Sequence, residues 1–211
     1  ETVERAGGYM RKMRALVYGM GDKGFKYPVA VDRIHLKEYR LWIGFLSRGD
    51  KLWQSRYPSY AGTTCSENFK SYTFFYEWCQ RQVGFCSRDE KGRIFQLDKD
   101  LLIRGNNCYS EDTCVFIPQA INKLLTKTNA LRGEYPIGVH FCNRDKNFKA
   151  TCNNGKKIQV RIGSYSTKEE AFIAYKNYKE MVIKQVAEKY KEQIDPRAYT
   201  ALLNYEVNIN D

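Results

Sequence analysis

The sequence has little of what marks a secreted, membrane-spanning or zinc-stabilised protein. No apolar run approaches the roughly 18 to 20 residues of a membrane-spanning helix, and no signal peptide with a long apolar segment is recognisable. The seven cysteines are odd in number and contain no CxxC pair, which makes a zinc finger improbable. We therefore expect the cysteines to be small buried apolar side chains in a reducing compartment, the cytoplasm.

Acidic residues are outnumbered, and the excess of positive charge is uneven. The net charge of the 211 residues is +11. Residues 1–60 hold 12 Lys and Arg against 6 Asp and Glu, and residues 131–193 hold 13 against 7, whereas residues 61–130 are nearly neutral at 9 against 8. Two basic regions around a neutral middle favour binding to a polyanion such as the nucleic-acid backbone, with ordinary solubilising charge as the alternative.

The first half of the chain predicts a weakly patterned arm followed by helices. Residues 1–36 are rich in glycine and basic residues and read as an arm or loop. A short helix is predicted over 37–45, with Tyr39, Trp42 and Ile43 on one face. A stronger helix is predicted from Ser66, a good N-cap, and its apolar residues recur at helical spacing. These residues are Phe69, Tyr72, Phe75, Tyr76, Cys79 and Val83, and we expect them to form core.

The middle of the chain changes period. Residues 93–98 alternate like a strand, residues 104–107 are typical of a turn, and residues 113–117 predict a second short strand. Pro118 suits the first position of a helix with an apolar face. The predicted order is therefore strand, loop, strand, helix.

A second strand-rich region follows. Strands are predicted over 138–141, 148–152 and 157–162, the last stopped by Gly163. Thr167 to Glu170 form a capping box, after which apolar residues continue at helical spacing to Val186. The pattern predicts a three-stranded antiparallel sheet packed on one long helix.

The motifs of this region resemble the plant ethylene-response-factor type of DNA-binding domain. They are Gly138-Val139, Phe148-x-Ala150, Ile162-Gly163-x-Tyr165-x-Thr167-x-Glu169-Glu170-Ala171 and Ala174-Tyr175. The resemblance implies that the sheet enters the major groove of double-stranded DNA. Alternation along the strands leaves one outward set: His140, Cys142, Lys149, Thr151, Asn153, Gln159 and Arg161. Apart from Cys142, we expect these residues to contact DNA.

The sheet also departs from the plant pattern. The plant proteins carry arginines after the Gly-Val pair and tryptophans in the sheet, whereas this chain has His140, Cys142 and no tryptophan there. The target sequence therefore cannot be carried over. The alternative is a sheet that faces solvent without a partner.

Residues 37–128 are similar to phage relatives of the HNH endonucleases. The motifs are Leu97-Asp98-Lys99-Asp100, Asn106-Asn107-Cys108-Tyr109-Ser110, Thr113-Cys114-Val115-Phe116-Ile117-Pro118 and Asn122. The resemblance implies a Mg²⁺ site formed by Asp98 and Asn122. The histidine expected beside the carboxylate as general base is replaced by Lys99, and Asp100 is an alternative base or ligand.

We therefore expect an α+β protein in which an HNH-like ββα-metal domain with extra helices precedes the sheet domain. The expected segments are an arm (1–36), the HNH-like domain (37–130), the sheet domain (131–193) and a C-terminal acidic tail (194–211). The expected function is duplex DNA binding without membrane association, in a bacterial host cytoplasm if the chain is phage-encoded. Three versions stay open: a metal-dependent endonuclease, a DNA-binding scaffold without catalysis, and a phage-encoded inhibitor that binds a protein. The sequence leaves the oligomeric state open.

Overall fold

The computed structural model describes residues 15–126, 134–154 and 158–209. Helices and strands are mixed along the chain, which confirms the α+β prediction. The chain divides into two compact units, Glu1–Tyr76 and Glu77–Asp211. Residues 1–14 of the predicted arm (1–36) and the predicted junction near residue 130 lie outside the described residues. Within the described ranges, no helix combines the length and apolarity that crossing a membrane requires.

The first unit is mainly helical. Its elements are β1 (Ala30–Val31), β2 (Ile34–His35), α1 (Lys37–Gly49), α2 (Lys51–Arg56), a 3-10 helix (Pro58–Tyr60), β3 (Thr64–Cys65), α3 (Glu67–Lys70) and the start of α4 (Tyr72–Arg81). Strands β1 and β2 form an antiparallel pair within the predicted arm. Helix α1 begins at Lys37, as predicted, and ends four residues beyond the predicted range.

Side-chain caps explain where α3 and α4 begin. The hydroxyl of Ser66 accepts a hydrogen bond from the backbone N–H of Phe69 at 3.2 Å, so the predicted N-cap is confirmed. The single helix predicted after Ser66 is wrong, because the Ser71 hydroxyl accepts from the N–H of Phe74 at 3.3 Å and starts a second helix. Helix α4 ends at Arg81, which leaves Val83 46% exposed and outside the predicted core face.

Aromatic side chains fill the core of the first unit, as the helical spacing predicted. The rings of Trp42 and Tyr72 lie 5.4 Å apart, and those of Phe45 and Phe75 lie 5.1 Å apart. The indole N–H of Trp42 donates to the carbonyl of Phe69 at 2.8 Å, so this buried polar group is satisfied.

The second unit combines the two strand-bearing regions. Its elements are β4 (Gln96–Asp98), β5 (Cys108–Tyr109), β6 (Val115–Ile117), α5 (Gln119–Leu125), β7 (Val139–Cys142), β8 (Asn147–Asn153), β9 (Gln159–Tyr165), α6 (Lys168–Tyr190), a 3-10 helix (Lys191–Gln193) and α7 (Pro196–Leu203). Strands β4 and β6 pair antiparallel and α5 follows β6, which confirms the predicted order of strand, loop, strand and helix.

The three-stranded antiparallel sheet has the order β7-β8-β9. The register shifts between Ala150 and Thr151, because Ala150 pairs with Gly163 while Thr151 pairs with Arg161. Ile162 is thus the extra residue of a β-bulge. The strand continues through Gly163 to Tyr165, so the predicted stop at Gly163 is wrong.

Helix α6 covers one face of this sheet. Its capping box is present, with the Glu170 N–H donating to the Thr167 hydroxyl at 3.2 Å and the Thr167 N–H donating to the Glu170 carboxylate at 3.1 Å. Ala171 and Tyr175 pack with Val139 and Ala150 of the sheet. Further along α6, Tyr190 meets Phe95 edge to face at 6.0 Å.

The C-terminal segment is folded onto the second unit. The Asp195 carboxylate caps α7 by accepting from the Arg197 N–H at 2.7 Å, and Pro196 occupies the first turn. Ala198 and Leu202 of α7 are buried, and so is Val207, which joins the core under the sheet. The segment predicted as a tail therefore contributes to the core.

Two glycines with the same φ angle allow the cost of backbone strain to be measured apart from the cost of a packing clash. Gly138 and Gly105 both have a φ of +78°, but a Cβ at Gly138 would lie 2.1 Å from the Tyr175 ring, whereas a Cβ at Gly105 meets nothing within 4 Å. We expect Gly105→Ala to cost about 1 kcal/mol from the left-handed backbone alone. Gly138→Ala adds a clash with Tyr175, and we expect it to cost about 2 kcal/mol more. Chemical denaturation of both variants checks this, and equal losses would contradict the packing of Tyr175 on Gly138.

Candidate functional site

A cleft of about 730 Å³ lies at the end of strand β4. Asp98, Asp100 and Asn122 all line it, so the structure brings together three of the residues predicted for the metal and catalytic site. The Asp98 Oδ1 accepts backbone N–H groups from Asp100 at 3.0 Å and Leu101 at 2.8 Å, which turns the chain sharply after the strand. Asn122, on α5, donates from its amide nitrogen to Gln96 Oε1 at 2.9 Å.

The surroundings of Asp98 disfavour its charge. Burial raises the pKa of the Asp98 carboxyl above its ordinary value, and the nearby Asp100 carboxylate raises it further. The two backbone N–H donors and Lys99 act in the opposite direction without cancelling the increase. A cation in the cleft would therefore relieve an electrostatic cost that the fold maintains.

Two oxygen atoms in the cleft suit a hard cation. Among the described residues, Asp98 Oδ2 and the amide oxygen of Asn122 accept no hydrogen bond. Mg²⁺ takes oxygen ligands and is commonly held by one or two carboxylates, with waters completing its shell. The described residues contain no cluster of three or more His, Cys, Asp or Glu side chains able to hold a metal ion. The residues present thus fit a site with two protein oxygens and leave the remaining positions to water or a phosphate.

Lys99 occupies a structural position in the loop after β4. Its ammonium donates to the Asn106 carbonyl at 2.7 Å, forms an ion pair with Asp100 at 3.1 Å and lies 5.7 Å from the centre of the Tyr109 ring. The side chain is 11% exposed, and Lys99 does not contribute to the cleft wall as the described residues form it. These contacts tie the loop together rather than presenting an amine to the cleft.

The same loop is held by Asn106, which belongs to both the predicted turn (104–107) and the HNH-like motif that begins at this residue. Its amide nitrogen donates to the carbonyls of Lys99 and Cys108, each at 2.7 Å, and its oxygen accepts from the Cys108 N–H at 3.0 Å. The side chain thus bridges the two ends of the loop, and this fixes the position of Asp100.

One wall of the cleft comes from the C-terminal segment, which was predicted as a tail and not as part of a site. Asn204, Tyr205 and Glu206 line the cleft opposite the strand end. The Arg104 guanidinium donates to the Glu206 carbonyl at 3.0 Å and lies 5.8 Å from the Tyr205 ring centre. Arg104 therefore fixes this wall and also adds a positive charge to the cleft.

The outer face of the three-stranded sheet gathers most of the residues predicted to contact DNA. Thr151 pairs with Arg161, and Asn153 pairs with Gln159, across strands β8 and β9. Directly paired residues point to the same face. The Gln159 amide donates to the Thr151 hydroxyl at 3.1 Å, and Arg161 donates to the Ser164 hydroxyl at 2.9 Å. With the exposed His140 on β7, these side chains form one polar surface.

Lys149 differs from the other five predicted DNA contacts. It pairs with His140 across the strands, but its side chain is 11% exposed and its ammonium forms an ion pair with Asp145. Arg144 donates to the same carboxylate at 2.8 Å, and these two cations hold the pKa of the Asp145 carboxyl well below its ordinary value. The expectation of an outward, available Lys149 is thus corrected, because Asp145 four residues earlier covers and neutralises it.

Comparison of the chain with family models, with curated protein sequences and with solved structures finds no match. The two family resemblances therefore stay predictions from the motifs. The functional assignment depends on the geometry and charge of the cleft and the sheet.

Replacing Asp98 by asparagine separates the effect of its hydrogen bonds from the effect of its charge. Asn keeps an oxygen for the two backbone N–H groups and removes the buried charge. A carboxyl whose pKa is raised by folding lowers stability as pH rises from its ordinary value, about 3.9, through the raised value. We therefore expect Asp98→Asn to unfold at higher denaturant concentration than the wild type at pH 7, with the difference vanishing at acidic pH.

The control for this experiment is Asp112→Asn, which removes an exposed carboxylate from the same unit. Its denaturation midpoint should follow that of the wild type at every pH. A loss of stability in Asp98→Asn at pH 7 would mean that the ionised carboxylate is favoured in the fold.

Proposed function

We propose that this protein binds duplex DNA through the outer face of its three-stranded sheet. The observation that carries the proposal is the arrangement of the sheet, with α6 packed on one face and polar side chains on the other. His140, Asn153, Gln159 and Arg161 are exposed on that outer face. A solvent-facing sheet without a partner would not require this combination of amide and guanidinium groups.

The chemistry of these side chains matches the edges of base pairs. Arginine forms paired hydrogen bonds with guanine, and asparagine and glutamine do so with adenine. The major groove is about 12 Å wide and admits a β-ribbon. The bulge at Ile162 increases the local twist of the sheet, which helps a sheet follow a groove.

Charge supports the same proposal. Residues 131–193 hold 13 Lys and Arg against 7 Asp and Glu, and the whole chain carries +11. Contacts between basic side chains and DNA phosphates release bound counterions, which gives affinity without sequence preference. A protein-binding inhibitor that reuses the fold would show little of the steep salt dependence that this mechanism produces.

A metal-dependent endonuclease is the second candidate function. The observation that favours it is the convergence of Asp98 and Asn122 on one cleft, at the end of a strand and on the following helix. These two residues would hold Mg²⁺, and the ion would polarise a phosphate and its attacking water. Asp100, whose side chain is 55% exposed at the same cleft, is the available base, because Lys99 is engaged in its loop. If this cleft does not cleave DNA, the unit that contains it is a DNA-binding scaffold without catalysis.

Arg161→Ala tests the sheet as the DNA-binding surface. Loss of a base or phosphate contact from arginine should weaken binding to duplex DNA roughly tenfold, because such contacts contribute on the order of 1–3 kcal/mol. Gel-shift titration at fixed salt measures the change. The matched control is Lys184→Ala, which removes an exposed positive charge from α6. Equal affinities for the wild type and Arg161→Ala would contradict the proposal.

Cleavage is tested with supercoiled plasmid in Mg²⁺, in Mn²⁺ and in EDTA. If the cleft is a nuclease site, we expect metal-dependent nicking that Asp98→Ala abolishes, by a factor of about 10³ or more, while gel-shift affinity is retained. Asp112→Ala is the control and should nick like the wild type. Binding without cleavage in any metal would favour the DNA-binding scaffold over the endonuclease. Cleavage by Asp98→Ala would show that Asp98 is not a residue of the nuclease site.

A further inference from the structure

A second cavity, of about 410 Å³, opens at the end of the sheet where strands β8 and β9 are joined. Thr151, Asn153 and Gln159 line it, so three of the residues predicted to contact DNA also face this cavity. Lys179 of α6 and Tyr205 also line it. The cavity therefore joins the edge of the outer polar surface to a positive charge on the helix beneath.

Lys179 is a half-buried lysine of α6 without an acidic partner among the described residues, whereas Lys184, which also lacks one, is exposed to solvent. Within the described residues Lys179 forms no hydrogen bond and no ion pair. Lys176, one turn earlier, donates to the Val207 carbonyl at 3.1 Å and pairs with Glu180 at 3.2 Å, and Lys189 pairs with Glu90 at 2.6 Å. The position of Lys179 in a polar cavity is therefore not explained by contacts that stabilise the fold.

The partial burial of Lys179 disfavours the charged form of its amine. Burial lowers the pKa of Lys179 below its ordinary value, and the Cys152 thiol offsets this only in part. Burial also raises the pKa of the Cys152 thiol, and the charge of Lys179 opposes that increase. An ammonium in these surroundings is stabilised by an anion, and none of the described side chains that line the cavity is acidic.

The polar lining selects the kind of anion. Lysine, threonine, asparagine and glutamine are the side chains that hold phosphate oxygens beside the bases that a protein reads. In this cavity they come from both the sheet and the helix, so an oxygen-rich group bound there would meet donors from two elements. The Gln159 amide already lies 3.1 Å from the Thr151 hydroxyl, which holds both groups at the cavity mouth.

We propose that this cavity receives a phosphate group of the DNA backbone, with Lys179 as its counter-charge and Thr151, Asn153 and Gln159 as hydrogen-bonding groups. The inference rests on the proposed DNA-binding function and extends it from the face of the sheet to the helix that supports it. Lys179 then fixes the register of the sheet on the duplex, while Arg161 on the open face contacts the groove.

Lys179→Met tests this assignment, because methionine keeps much of the apolar stem and removes the charge. Loss of one phosphate contact should lower the slope of log affinity against log salt by about 1 and weaken duplex binding roughly tenfold at low salt. Lys184→Met, from an exposed position on the same helix, should leave both nearly unchanged. Thermal unfolding should show Lys179→Met to be at least as stable as the wild type, because a desolvated charge is removed.

The outcomes separate this proposal from the one on which it rests. Duplex binding by the wild type with an unchanged salt slope in Lys179→Met would overturn the phosphate site and leave sheet binding intact. If the wild type does not bind duplex DNA, the proposed function fails, and the cavity is judged by NMR of lysine-labelled protein titrated with inorganic phosphate. A shift of the Lys179 side-chain signals that Lys184 does not share would show that the cavity binds free phosphate. The absence of such a shift would show that the cavity is not a phosphate site.

Discussion

Helix α6 is the element on which the second unit depends. Over its 23 residues, about 35 Å, it covers the sheet with its first half and meets the strand-and-helix region around β4 with its last turn. The capping box at Thr167 fixes where it begins, and the Tyr175 ring lies so close to Gly138 that only glycine fits there. Lys179 follows Tyr175 by about one helical turn and is therefore placed by the same packing.

The local elements were largely predictable because their signals are local. Alternation gave strands β4, β6, β7, β8 and β9, and side-chain caps at Ser66 and Thr167 marked the helix starts. The errors occur where a competing local contact wins. The Ser71 hydroxyl interrupts a helical pattern that continues on both sides of it, and the bulge at Ile162 carries β9 past Gly163. Helix α7 was missed although Asp195 and Pro196 form a helix start by the rules applied elsewhere.

It was predictable which candidate residues share a cleft or a sheet face, but not what surrounds them. Asp98 and Asn122 share a cleft as the resemblance implied, but the opposite wall comes from Tyr205 and Glu206, about a hundred residues away. Such long-range contacts leave no periodic signal in the sequence. Nor does the alternation that placed Lys149 outward reveal that Asp145 covers it. The signal for Lys179 is equally non-local, since it lies in the burial of this lysine in a cavity where none of the described lining side chains is acidic.

The central claim is that duplex DNA lies on the outer face of the three-stranded sheet. Amide chemical-shift mapping of the labelled protein with a short duplex, at low and then moderate salt, tests it most directly. The account predicts the largest shifts in strands β7 to β9, around His140, Gln159 and Arg161, with smaller ones near Lys179 and loss of all of them as salt rises. Shifts concentrated in the first unit, or none at any salt, would contradict it.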